Sequence, residues 1–249
     1  MPSESTNRLF GLVGKDIDYS FSRNYFATKF AQEQLKDCVY QNFDLSTISE
    51  IESVLEQKHL CGLNVTIPYK QEIIPYLDDL SEEATAIGAV NTVCFSSDRK
   101  KIGHNTDAYG FEKALREVVK EWPQRALILG SGGAALAIQF VLERNGTHTT
   151  CVSRNPRSGQ YGYEALDAKI VSQNQLIVNA TPLGTFPKVE KCPPFPYELL
   201  THQHFLFDLI YNPRQTSFLK KGLFQDAGIS NGYQMLVHQA DKSWELWNQ

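Results

Sequence analysis

The sequence predicts an α/β fold built on at least one parallel sheet, and three observations lead there. The apolar run RALIL (125–129) leads at once into Gly130-Ser131-Gly132-Gly133-Ala134-Ala135, a G-x-G-x-x-A pattern, then a helical stretch and a further strand at 148–152. A strand–glycine loop–helix–strand unit of this kind calls for a parallel sheet covered on both faces. In GLNVTIPYK (62–70), Leu63, Val65 and Ile67 alternate with polar residues, the period of a half-buried strand. Strand and helix patterns then alternate along the rest of the chain, as α/β folds require.

The elements follow in order. Residues 9–13 form a short apolar strand. Tyr25, Phe26, Phe30 and Leu35 share a helical face behind Ser22, which stands at the N-cap position. Residues 39–43 read as a strand and 48–55 as a helix. The strand through Asn64 should end at Ile67, because Pro68 offers no ladder donor and biases its predecessor toward an extended shape. Residues 71–77 read as helical, with Pro75 near their end, and a second short helix starts at Ser81 and stops at Gly88. A hairpin follows, 90–95 with 101–104, turning through 97–100. The next helix runs from Asp107 to about Lys120 on the stripe Phe111, Leu115, Val118 and Val119, and 121–124 break it. Beyond the glycine loop a helix ends at Gly146. Strands are expected at 148–152, 175–178 and 204–210, a proline-rich loop at 185–196, a helix stopping near Gly222 and a last helix over 233–247.

Composition bounds the function. The 249 residues suffice for one large domain or two small ones. A net charge of −4 without a basic block argues against a nucleic-acid partner. No apolar run approaches the ~18–20 residues that span a bilayer, and the polar start of the chain has no signal-peptide core. Five scattered cysteines without a CxxC pair support neither a disulfide framework nor a zinc site, so a reduced cytoplasm is expected and no metal.

Candidate site residues cluster at strand ends, where open α/β sheets bind ligands. Asn64, Thr66 and Lys70 surround one such end. Ser20 and Ser22 add hydroxyls at a helix start, whose free N–H groups suit a carboxylate. Asp107 can cap its helix or partner Lys70. The glycines of 130–133 permit close approach of backbone to a pyrophosphate. The strand 148–152 ends in Ser153-Arg154-Asn155-Pro156-Arg157, without the acidic residue that meets a free ribose 2′-hydroxyl. Arg154 and Arg157 match a 2′-phosphate instead. Gln239 is a polar residue on what should be a packed face.

Taken together, YSFSR (19–23), NVTIPYK (64–70), IGAVNTV (87–93), GHNTDAYGF (103–111), GSGGAA (130–135), SRNP (153–156), NATPLG (179–184), FDLIYNP (207–213) and NGYQMLVHQA (231–240) resemble the shikimate dehydrogenase family. They cover nearly the whole chain in the family's order. The resemblance implies an α/β protein of two domains: a substrate domain of residues 1–106 with 232–249, and a Rossmann-like NADP domain of residues 107–231. A C-terminal helix would return to the first domain. It implies reversible NADPH-dependent reduction of 3-dehydroshikimate to shikimate, on the route to chorismate and aromatic amino acids, by a monomer or homodimer. By position, Lys70 and Asp107 match the catalytic pair, and Ser20 and Ser22 the carboxylate serines. Asn64, Thr66, Asn91, Asp107 and Gln239 match groups around the ring hydroxyls, with Tyr211 near the ring. Gly130, Ser131, Gly132, Gly133 and Ala134 match the pyrophosphate loop, and Ser153, Arg154, Asn155 and Arg157 the 2′-phosphate region. Glu82, Leu209 and Gly232 match positions lining the cofactor cleft, and Thr181 is a further cofactor-binding position. The chain departs from the family's HSxSP at Tyr19 and Arg23, and from DGxGM at Asn231 and Gln234. Two other activities fit the same residues: a quinate/shikimate dehydrogenase with relaxed cofactor use, and a non-catalytic sensor of shikimate-type ligands.

Overall fold

The structure, a computed structural model, describes residues 8–18 and 20–249. Tyr19 lies outside the described residues. The chain divides into two compact units, residues 1–106 with 240–249, and residues 107–239.

The first unit is a mixed sheet between two apolar layers. Its chain order is β1 (Arg8–Gly14), α1 (Ser22–Gln32), β2 (Cys38–Asp44), α2 (Ile51–Leu55), β3 (Leu60–Val65), β4 (Asp79–Leu80), α3 (Glu82–Ile87), β5 (Thr92–Phe95) and β6 (Lys101–His104). The strands lie in the order β2-β1-β3-β5-β6-β4. β1, β2 and β3 are parallel, and β5 runs antiparallel to both its neighbours. Strand alternation divides the side chains between two faces. Val13, Leu63 and Val65 pack with Ile51, Val54 and Ile73 on one face. Phe10 and Leu12 pack with Phe26, Phe30, Tyr40 and Trp247 on the other. Gly62 lies against that second layer. A Cβ there would sit 2.3 Å from Trp247 Nε1, so only glycine lets the indole lie on β3. The ring is held by its N–H, which donates to the Val93 carbonyl at 3.1 Å.

This layer changes the reading of β3. Its alternating polar residues predict a face open to water. The C-terminal residues 240–247 cover that face instead, and Asn64 is only 5 % exposed. β3 also ends two residues before Ile67, at Val65, and the chain turns through Thr66 and the cis bond between Ile67 and Pro68. Residues 71–77 form no α-helix. They make turns and one 3₁₀ turn, Ile74–Tyr76, where Pro75 has no N–H for a helical ladder. Strand β4, only two residues long, has no readable sequence period.

In the second unit α4 (Thr106–Val118) is followed by β7 (Arg125–Leu129), α5 (Gly133–Arg144), β8 (His148–Val152), α6 (Ala168–Gln173), β9 (Leu176–Asn179), β10 (Phe205–Asp208), α7 (Ser217–Phe224), β11 (Gly228–Ser230) and α8 (Tyr233–Trp247). The five strands are all parallel, ordered β11-β10-β9-β7-β8. This is a Rossmann-like half-sheet, and its order reverses between β7 and β9. The reversal point is where open α/β sheets leave a crevice for ligands. β11 and α6 have no counterpart in the sequence reading. α6 is a single short turn and a half, and its Asp167 cap, which accepts the Ile170 N–H at 2.8 Å, is its clearest signal. The division between units falls inside α8, between Gln239 and Ala240. Residues 233–239 pack on α4: a Cβ on Gly110 would lie 2.6 Å from the Met235 carbonyl oxygen.

Candidate active site

Within the first unit, the residues read as substrate-binding gather around the carboxyl end of β3. Thr66 donates its N–H to the Val13 carbonyl at 2.8 Å, and its own carbonyl accepts the Tyr69 N–H at 2.9 Å. The turn so formed sets the half-buried Lys70, whose carbonyl accepts the Val90 N–H at 2.7 Å. Gly14 makes room for this turn, since a Cβ there would lie 2.5 Å from Thr66 Cγ2.

Ser22 is the first residue of α1, and Phe21, with helical angles, is the cap. Ser22, expected at the N-cap, thus stands inside the helix, and Ser20 Oγ accepts its N–H at 3.3 Å. Ser22 is buried, as is Tyr40. Tyr40 donates to Asn64 Oδ1 at 2.9 Å. The Asn64 amide is committed inside the unit as well, donating to Ser243 Oγ, Thr92 Oγ1 and the Asn91 carbonyl at 2.9, 3.2 and 3.3 Å. Asn91 is buried, and its Oδ1 accepts the Thr106 N–H at 2.6 Å. Glu82 is exposed in the first turn of α3, behind a Ser81 cap that accepts the Ala84 N–H at 3.1 Å.

Within the second unit, Asp107 stands buried in the first turn of α4. Gln239 is buried too, and its Nε2 donates to the Leu236 carbonyl at 3.0 Å. Tyr211 and Leu209 are half-buried beyond β10. Gly232 lies so close to Leu209 that a Cβ would meet its carbonyl oxygen.

The glycine loop sits at the sheet's reversal point. Gly130 has φ +121°, which L side chains rarely adopt, and a Cβ there would lie 3.1 Å from the Ala180 carbonyl oxygen of the neighbouring strand end. Gly132 caps α5 without any side-chain bond and has open space where a Cβ would be. Ser131, Gly133 and Ala134 complete this turn. The first N–H groups of α5 can therefore meet an anion directly. At the end of the adjacent β8, Ser153 Oγ accepts the Asn155 N–H at 3.1 Å, which shapes the loop carrying exposed Arg154 and Arg157. A phosphorylated dinucleotide fits these groups: open amides for a pyrophosphate, guanidinium groups for a further phosphate, and no competing acid in 153–157.

Two functional elements were not singled out in the sequence. Asp208, at 0 % exposure, accepts bonds from Asn179 Nδ2 at 3.0 Å, from the Ile210 N–H at 3.1 Å and from the Thr216 hydroxyl. Asn179 Oδ1 accepts the Thr181 N–H and hydroxyl at 3.0 and 2.7 Å. The pair thus orders the loops that carry Thr181 and Leu209. Burial raises the Asp208 carboxyl to about 6 despite these donors. The available signal was a polar residue closing each of two apolar strands. The second element is a cluster of buried hydroxyls around Asn64 and Asn91, drawn from segments far apart in sequence. All five cysteines are free, and burial pushes the Cys94 thiol up to about 12. Among the described residues no group of His, Cys, Asp or Glu could hold a metal, and no helix is long and apolar enough to cross a membrane.

Comparison with known proteins gives consistent results. The family profile for the shikimate dehydrogenase substrate binding domain matches residues 12–93. The shikimate dehydrogenase (NADP(+)) of Desulforamulus reducens is 34 % identical over 260 residues, covering 95 % of this chain and 88 % of that one. Shikimate dehydrogenase from Aquifex aeolicus superimposes with a TM-score of 0.87 at 30 % identity, over 97 % of this chain and 92 % of that one. The Thermus thermophilus enzyme, solved in complex with NADP(H) and shikimate, gives 0.84 at 29 % identity, over 96 % and 92 %.

Proposed function

The chain belongs to the shikimate dehydrogenase family, and from that premise we propose how its own residues carry the reaction. The protein is an NADP-dependent oxidoreductase that interconverts 3-dehydroshikimate and shikimate. The observation that carries this is similarity to NADP-dependent shikimate dehydrogenases over 95 % of the chain.

When bound, the nicotinamide supplies the hydride that a ketone needs. The chain must supply a proton, or a positive charge, at the oxygen where negative charge develops. Lys70 does this: its ammonium can donate to that oxygen and stabilise it. Asp107 orients the ammonium and accepts a bond from a neighbouring hydroxyl. Thr66, Asn91 and Gln239 hold the ring hydroxyls, and Asn64 backs Asn91 from the interior. Tyr211 lies beside the ring. Ser20 and Ser22, with the first N–H groups of α1, hold the carboxylate. On the cofactor side, the 130–134 loop binds the pyrophosphate, and Ser153, Arg154, Asn155 and Arg157 bind the 2′-phosphate. Glu82, Thr181, Leu209 and Gly232 border the nicotinamide end. These assignments make residues 1–106 with the end of α8 the substrate unit and the parallel-sheet unit the NADP unit. We place the enzyme in the cytoplasm as a monomer or homodimer.

The deciding experiment mixes purified protein with shikimate and NADP and follows the NADPH absorbance band. Growth of the band is expected. Shikimate binding without turnover would favour the sensor reading, and a faster rate with quinate and NAD would favour the quinate enzyme.

A further inference from the structure

Three hydroxyls meet in the interior of the first unit. Thr92 opens β5, Thr106 opens α4, and Ser243 comes from α8. Thr92 and Ser243 are 2.8 Å apart, Thr92 and Thr106 3.1 Å, and Thr106 and Ser243 3.1 Å, and none is more than 1 % exposed. Two carboxamides border the triangle. Asn64 Nδ2 donates into it at Ser243 and Thr92. On the other side Asn91 Oδ1 accepts from the Thr92 and Thr106 hydroxyls at 3.1 and 3.2 Å, and Asn91 Nδ2 donates to Thr106 Oγ1 at 3.0 Å.

The donors and acceptors set a direction. The Asn91 backbone carbonyl can only accept, so the Asn64 atom facing it is the nitrogen, and Asn64 Oδ1 faces the Tyr40 hydroxyl. Asn64 therefore feeds donors into the triangle, and hydroxyl protons leave it toward Asn91 Oδ1. That same oxygen takes the Thr106 N–H, one of the amides a helix start leaves without a helical partner. One cluster thus locks both the Asn91 carboxamide and the first turn of α4, in which Asp107 is the next residue.

We propose that Ser243 is a positioning residue for the reaction, holding, through Asn91 and Thr106, the first turn of α4 so that Asp107 is set for Lys70. This rests on Lys70 and Asp107 being the catalytic pair. Ser243 touches no ligand in this scheme. Its hydroxyl joins the C-terminal helix to two segments that carry site residues, and alanine there would take one partner each from Asn64 Nδ2 and the Thr92 and Thr106 hydroxyls and free the cluster to rearrange. Small displacements of catalytic groups cost up to about 100-fold in rate.

The test is Ser243→Ala assayed in the shikimate–NADP reaction. Expected are a roughly tenfold lower kcat, an unchanged KM for NADP and partial recovery by Ser243→Cys, which retains a weak donor. In an Asp107→Asn background the same change should cost less than twofold, because its effect passes through Asp107. Should Ser243→Ala not fold, Thr92→Val removes a hydroxyl of the same triangle at nearly constant volume and should give the same split. A lower melting temperature with unchanged kcat would reduce Ser243 to packing. A full tenfold loss in the Asp107→Asn background would show that it acts elsewhere. Wild-type kcat in Asp107→Asn alone would bring down the catalytic-pair reading itself, and this proposal with it.

Discussion

Lys70 is the residue on which the proposed chemistry turns. Lys70→Ala should lower turnover by roughly 10²–10⁴, the scale of a lost acid–base group, with shikimate affinity changed far less. Stopped-flow turnover and equilibrium titration separate the two, and near-normal turnover would remove Lys70 from the mechanism. Asp208 makes a different prediction, in stability. Its folded carboxyl titrates near 6 against 3.8 for an ordinary aspartate, because burial penalises the charge. The folded state therefore holds a proton that the unfolded chain releases between those values. The stabilisation is complete below about pH 4, is lost as pH rises through 6, and amounts to roughly 3 kcal/mol. Asp208→Asn keeps the shape, can still serve Asn179, Ile210 and Thr216, and carries no charge. Urea midpoints for wild type should fall relative to this variant between pH 4 and 6.5, and parallel pH curves would refute the assignment.

At the scale of elements, the proposed ligand contacts lie where a strand ends and where a helix starts. The loop after β8 carries Arg154 where a free ribose would call for an acid. Charge-assisted bonds contribute about 1.5–3 kcal/mol, so Arg154→Ala should weaken NADP by roughly tenfold to a hundredfold. NAD, with no phosphate at that position, should hardly change. Paired titrations on both proteins decide it: equal losses would mean that Arg154 supports the loop rather than reads the phosphate. The start of α1 makes the complementary prediction for substrate. Replacing Ser20 and Ser22 by alanine should weaken shikimate and leave NADP untouched, and a carboxamide analogue should bind wild type poorly. Were that analogue to bind as tightly as shikimate, the serines would not be reading a carboxylate.

For the molecule as a whole, the end of the chain completes the first unit. Trp247 lies with Phe10, Phe26 and Tyr40 on one face of the sheet. Trp247→Ala should cost about 3–5 kcal/mol, the range for emptying a large aromatic site. Denaturant unfolding followed by circular dichroism would measure it, and a cost under about 1 kcal/mol would show that the unit holds without the ring.

What the sequence determined by itself was whatever depends on neighbours along the chain. The βαβ unit at 125–152, with its glycine turn, is written in a single stretch, because the backbone angle at Gly130 and the open start of α5 are local properties. The same holds for the strand ends that present Lys70 and Arg154, where Pro68 and the absence of an acid act within a few residues. Folding alone decided what lies across space. The polar alternation of β3 reads as a wet face, yet residues 240–247 cover it, nearly 180 positions later, and turn Asn64 from a surface amide into a buried link. Likewise Tyr40, Thr92, Thr106 and Ser243 carry no shared period or motif. Each is one hydroxyl among many in the sequence, and only the close-packed interior brings them within hydrogen-bond reach of one another or of Asn64, because buried polar groups must find partners there.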